Sequence, residues 1–192
     1  MADHVFPRVD VETRRLRLRS FAASDAGDVH AAWQDEQFMR TAPVGYPYAG
    51  ADLATAAEWC NGTEKRRQDG LGAELAVEPR GGGRLLGHVA LFSVRWSLRI
   101  AEIHYWTAPW ARGHGYAGEA ARAVAEWALR DVAFERISLQ ADVHNTASRR
   151  VADAAGFHFE GVQRSVVPAR DGSRMDLAVY SLIRADLRPS PV

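Results

Sequence analysis

The sequence predicts a mixed α/β (α+β) domain, with a sheet of about seven strands and helices packed on its faces. Three observations carry that expectation. Short alternating or apolar runs of strand length recur along the chain, bounded by Gly, Pro, Asn and Asp. Between them lie longer stretches with apolar residues at helical spacing, the longest from Tyr116 to Val132. The length of 192 residues and the apolar content of 47% suit a single soluble domain, residues 1–192, with a full core.

Met1 to Val11 reads as an arm, and Arg184 to Val192, with Pro189 and Pro191, as a flexible tail. Arg14-Arg15-Leu16-Arg17-Leu18-Arg19 alternates charged and apolar residues, the pattern of a half-buried strand. Ser24-Asp25 should cap a helix carrying Val29 and Trp33. Thr41 to Gly50 holds Pro43, Gly45 and Pro47 and reads as a loop long enough to have a function. Ala51 to Gln68 reads as a second helix with Leu53, Ala56, Ala57 and Cys60 on one side, weakened by Asn61-Gly62. Gly72 to Pro79 and Leu85 to Val94 flank three glycines, Gly81 to Gly83, as a hairpin. Leu98 to Pro109 is the next strand.

Tyr116 to Val132 is a helix with Ala117, Ala120, Ala121, Val124, Trp127 and Ala128 on one stripe. Ile137 to Val143 is a buried strand. Asn145 or Thr146 starts a short helix that Gly156 ends. Phe157 to Pro168 and Arg174 to Ile183 are two further strands, joined by a turn over Arg170 to Ser173.

Composition removes several function classes. Lys plus Arg and Asp plus Glu both number 24, so no global field draws the chain to nucleic acid or an anionic membrane. Lys65-Arg66-Arg67 reads as a solvated helix face. A single cysteine, Cys60, suits a reducing cytoplasm and allows no cysteine cluster. No segment reads as a signal peptide or a bilayer span. The seven histidines show no ligand spacing, so no metal is expected.

The motif with chemical content is Arg112-Gly113-His114-Gly115-Tyr116-Ala117, set between a strand and a helix start. Glycines let successive N–H groups converge on an anion, and the helix dipole adds attraction. Arg112 would add a fixed charge at the lip. A tight strand-to-helix turn explains the loop as well, so its neighbours must decide. No G-x-x-x-x-G-K-[ST] is present, which argues against a nucleotide-binding P-loop.

The neighbours decide by resemblance. The run Glu102 to Ala117 resembles the acetyl-CoA-binding core of the GNAT N-acetyltransferases, whose signature R/Q-x-x-G-x-G/A is met by Arg112, Gly115 and Ala117. Asn145-Thr146-Ala147-Ser148, Ala155-Gly156-Phe157 and Glu160-Gly161 resemble the following block in the branch that acetylates N-termini of ribosomal proteins. Glu12 to Arg19 is similar to the opening of that branch.

This resemblance implies a mostly antiparallel sheet with helices on both faces. It implies acetyl-CoA as co-substrate, its pantetheine arm against Tyr105, Trp106 and Thr107 and its pyrophosphate on Arg112, Gly113, His114, Gly115, Tyr116 and Ala117. Asn145 would bind pantetheine or cap its helix. The acceptor would be a primary amine, on a protein N-terminus or a small molecule, and a homodimer is left open.

Amine attack on a thioester needs a neutral amine, an oxyanion donor and a proton for the thiolate. Glu102 is the candidate base, sharing a strand face with His104, a second candidate where the branch often has glycine, and with Trp106. Ser148 is the candidate acid, because many members place tyrosine where this chain has Ala152. That missing tyrosine keeps open a second reading, an acyl-CoA-binding sensor with little turnover. Among the six tryptophans, Trp127 reads as core, while Trp33 and Trp59 lie on helices that form the acceptor wall in this family.

Overall fold

The computed structural model describes residues 4–41, 48–169 and 172–187. Residues 42–47 of the Thr41–Gly50 loop, the first half of the Arg170–Ser173 turn and residues 188–192 of the expected tail lie outside the described residues. The strands are β1 (Asp10–Glu12), β2 (Leu16–Ser20), β3 (Ala73–Pro79), β4 (Gly87–Arg95), β5 (Ile100–Thr107), β6 (Arg136–Asp142), β7 (His158–Pro168) and β8 (Arg174–Ile183). The helices are α1 (Ala26–Trp33), α2 (Glu36–Thr41), α3 (Leu53–Gln68), α4 (Tyr116–Arg130) and α5 (Thr146–Ala154). Among the described residues one eight-stranded sheet forms, in the order β1-β2-β3-β4-β5-β6-β8-β7. Every neighbouring pair is antiparallel except β5 and β6.

Helices cover both faces. On one, α4 and α5 bury Ala120, Ala121, Val124, Ala128 and Ala152 against Leu18, Leu75, Leu91, Ile103 and Ile137. On the other, α1 and α3 bury Val29, Trp33, Ala56 and Cys60 against Ala76 and Trp106. The alanine-rich stripe of α4 is what lets that helix lie close to the sheet. Ala117, expected on the stripe, is only partly buried at the helix start.

Several expectations are corrected. The arm is a strap: Phe6 is fully buried among Trp96, Trp127 and Phe134, and its N–H donates to the Arg67 carbonyl. Its end forms β1, an eighth strand too short to read as one. Leu53 is exposed, so the buried side of α3 is Ala56, Cys60 and Thr63. This helix runs unbroken through Asn61 and Gly62, which face solvent and carry no packing. Asp25 does not cap α1 with its side chain. It accepts instead from the Ala22 N–H at 2.8 Å and pairs with Arg19 at 2.7 Å.

Two features position the site. The parallel β5–β6 pairing covers only Ile100–Glu102 against Arg136–Ser138. Beyond it the strands diverge, while β5 stays on β4 through Thr107 and β6 stays on β8 through Asp142. The second is the end of β5. Ala108 N–H donates to the Leu86 carbonyl, and Pro109 then opens a short 3-10 turn, because its nitrogen has no proton to continue the ladder.

Candidate active site

The glycine loop leaves the open end of the β5–β6 gap. Gly113 and Gly115 hold φ of 81° and 74°, left-handed values that cost glycine nothing. Gly115 is the N-cap of α4 and supplies no side chain to its first N–H groups. Gly113, His114 and Gly115 are exposed, and a Cβ added to Gly113 would meet nothing within 4 Å. The amides of the first turn of α4 lack intrahelical partners, so the loop presents a donor-rich, electropositive concavity to solvent.

The charge at its lip differs from expectation. Arg112 is not free; its guanidinium pairs with the Asp35 carboxylate at the α1–α2 junction and holds that carboxyl below the usual range. A second arginine, Arg15, reaches the loop from just before β2. It donates to the His114 carbonyl at 3.0 Å, pairs with Glu119 at 2.6 Å and stacks over the Tyr116 ring at 4.9 Å. Thr13 donates its hydroxyl proton to the same Glu119. Sequence reasoning missed this lashing of strand to loop. The available signal was Glu119, an acid in the first turn of a helix that already had a dipole to satisfy.

Strand alternation sorts the remaining candidates onto two faces of β5. On the α4/α5 face, the Tyr105 hydroxyl lies 2.7 Å from Ser148 Oγ and 3.2 Å from the Ser148 carbonyl. Burial pushes the Tyr105 phenol up to about 12. Asn145 Oδ1 accepts the Ser148 N–H at 3.0 Å, so Asn145 caps α5 and fixes the serine's backbone. Ala152 is fully buried.

Glu102, His104 and Trp106 occupy the other face. Glu102 is partly buried and lines an open cavity of about 690 Å³, with Asp69, Leu71, Ser93, Arg95 and Trp96. The cavity follows from the bulge in β4 between Phe92 and Arg95, where Ser93 takes a φ of 49°. His104 points elsewhere, against the rings of His88 (5.1 Å between centroids) and Phe92 (4.9 Å). Burial and the neighbouring His88 charge push His104 down to about 4, so it is neutral and weakly basic near pH 7.

His88 Nε2 lies 2.7 Å from Glu74 Oε2, and Arg66 donates to Glu74 Oε1 at 3.3 Å. Burial alone would raise the Glu74 carboxyl, but the hydrogen bond and attraction of His88, with the Arg66 charge beside it, outweigh it and hold Glu74 below its usual range. Among the described residues, one ligand atom each from Glu74, His88 and His104 lies within 4.8 Å of the others. The expectation of no ligand set rested on local spacing, which cannot see three strands folding together.

Aromatic rings surround this face. Trp33 stacks on Tyr48, and Trp59 stands edge-on to Trp33, Phe21 and His88. Among the described residues, three buried side-chain polar atoms have no hydrogen-bond partner: Trp33 Nε1, His88 Nδ1 and Trp106 Nε1.

Comparison with known proteins agrees with this arrangement. Residues 15–158 match the acetyltransferase (GNAT) domain. An uncharacterised N-acetyltransferase of Bacillus subtilis, YoaA, is 26% identical over 178 residues, 91% of this chain and 96% of that one. A ribosomal-protein-S5-alanine acetyltransferase from Vibrio fischeri superposes with a TM-score of 0.80 at 18% identity, covering 94% of this chain and 100% of the other. The microcin C7 self-immunity acetyltransferase MccE, solved with acetyl-CoA and AMP, superposes with a TM-score of 0.78 at 18% identity over 89% and 93% of the two chains. At such identities the two structures speak for the fold.

Proposed function

Because the chain belongs to the acetyltransferase (GNAT) domain family, a family of N-acetyltransferases, we propose that it moves the acetyl group of acetyl-CoA onto a primary amine by direct attack in a ternary complex. The observation that carries this reading is the β5–β6 gap, open from Glu102 onward and leading to the glycine loop. The unpaired edge of β5 over Ile103–Thr107 offers backbone groups to the two amides of pantetheine. The first turn of α4 offers N–H donors to the pyrophosphate. Arg15 and Arg112 stand beside that loop already neutralised by Glu119 and Asp35, so the backbone carries most of the recognition.

The acceptor reaches the thioester from the α1/α3 face. Glu102 is the base there, open to a cavity with room for water to relay the proton. Its access to solvent favours it over His104, which is packed against His88 and Phe92 and pushed down to about 4. The departing thiolate takes its proton on the opposite face from Ser148 Oγ, whose hydroxyl is tied to Tyr105. That pair occupies the role of the tyrosine absent at Ala152. The orphaned Trp33 and Trp106 N–H donors require partners, and polar atoms of an acceptor or water would supply them. The sensor alternative finds no support among relatives named for acetyl transfer.

Similarity to the ribosomal-protein branch makes a peptide N-terminus the first acceptor to try. The test is thiol release from acetyl-CoA across a panel of Ala- and Ser-initiated peptides and small primary amines. Release that depends on one acceptor class is expected. A protein that binds acetyl-CoA yet releases no thiol with any of them would overturn turnover as its function.

A further inference from the structure

We propose that Glu74, His88 and His104 form a three-ligand site for a divalent transition ion of zinc's class. This does not rest on the proposed acetyl transfer. The register of the sheet builds the site. Glu74 on β3 and His104 on β5 both lie opposite Ala90 of β4, one from each side, and His88 lies opposite Ala76 of β3. The three long side chains therefore rise from one face of three adjacent strands. In the register Ala90 stands between Glu74 and His104, and His88 stands between Ala76 and Trp106; the two buried alanine methyls leave space above the strands, with the Trp106 ring on the remaining side. One donor atom from each comes within 4.8 Å of the others.

A zinc ion with bonds of about 2.0–2.1 Å to nitrogen and oxygen needs donors roughly 3.3 Å apart. Small side-chain rotations close the set to that spacing. The ion would replace the His88–Glu74 hydrogen bond, and the fourth position would be left to water.

Chemistry narrows the ion. Two imidazoles and one carboxylate are borderline donors, which suit zinc, cobalt or nickel and suit magnesium or calcium poorly. An outer shell is in place: Arg66 holds Glu74 Oε1, so Oε2 is presented singly. Phe21, Trp59 and Trp106 pack on the His88 ring and Phe92 on the His104 ring. Glu74 and His88 are buried, so no surface cluster is involved.

The full chain is stripped with a chelator, equilibrated with zinc, and its metal content measured. Cobalt is then added in zinc's place and its visible spectrum recorded. About one zinc per chain is expected, with a rise in melting temperature that a chelator reverses and intense tetrahedral cobalt bands. His104→Ala and His88→Gln, each checked for native circular dichroism, should weaken uptake by more than the roughly 10–100-fold typical of losing an outer-shell partner. His104 is only partly buried, so its variant decides the matter if His88→Gln fails to fold. Uptake well below one per chain, a six-coordinate cobalt spectrum, or undiminished uptake by folded His104→Ala would each overturn the proposal. The last result would place zinc on surface histidines.

Discussion

Glu102 and His104 stand two positions apart on one strand face, yet their surroundings assign them different work. Glu102 lines the open cavity beside the β4 bulge, whereas His104 is pressed against His88 and Phe92 and has lost most of its basicity. Glu102→Gln keeps the volume and removes the proton acceptor. Turnover on the true acceptor should fall by roughly 10²-fold, with little change in acetyl-CoA affinity. Steady-state kinetics beside a binding isotherm separates the two, and unchanged turnover would mean that positioning alone drives the reaction.

At this scale the sequence was informative about placement where alternation or a motif fixes it: Glu102 on β5, Ser148 in the first turn of α5 and Gly115 at the N-cap of α4. It was silent where contacts join distant segments. Nothing local announces that Arg15 reaches His114, that Tyr105 meets Ser148, or that Glu74, His88 and His104 share one patch.

Among the elements, the loop that starts α4 is the one whose backbone carries the proposed donor binding. Gly115→Val places a branched Cβ at a φ of 74°, a conformation that costs a β-branched residue on the order of 1–3 kcal/mol. Among the described residues the only atom within 4 Å of a Cβ there is Arg15 Nη2 at 3.8 Å, so the core is untouched. The variant should fold with a slightly lower melting temperature and lose acetyl-CoA binding by calorimetry. Undiminished affinity would put the phosphate cradle elsewhere. Elements were legible where burial follows a clean period. The alanine stripe of α4, the hairpin of β3 and β4, and α5 between Asn145 and Gly156 all stand close to expectation. What escaped was β1 and α2, too short to show a period, and the strap, whose Phe6 is held by rings from three distant segments.

Across the whole molecule, two linkages make the fold answer to its surroundings. The first is acid. Burial alone would raise the Asp25 carboxyl, but Arg19 and the Ala22 N–H outweigh it and hold Asp25 below its usual range. A carboxyl depressed in the folded state contributes stability above its unfolded pKa of about 3.9, and that contribution is lost as pH falls through the folded value. Asp25→Asn should therefore flatten the stability profile below about pH 4. At pH 7 it should cost about 3 kcal/mol, the low end for breaking a buried pair, because Glu78 still accepts from Arg19. Urea melts of both proteins from pH 3 to 7 check this, and parallel profiles would refute it.

The second linkage is the cofactor, and it tests the gap and the loop together. A ligand that binds only the folded chain stabilises it by about 2.7 kcal/mol at a hundred times its Kd. For a domain of 192 residues that corresponds to a rise in melting temperature of roughly 5–10 °C. Acetyl-CoA should produce it, because the exposed amides from Gly113 onward meet its pyrophosphate and the edge of β5 beyond Glu102 meets its pantetheine. Adenosine carries neither group and should shift the melt far less. Pantetheine alone, engaging the gap without the loop, should fall between them. A melt unmoved by millimolar acetyl-CoA would mean that the strands diverge for a reason other than holding this donor, and the proposed transfer would fall with it.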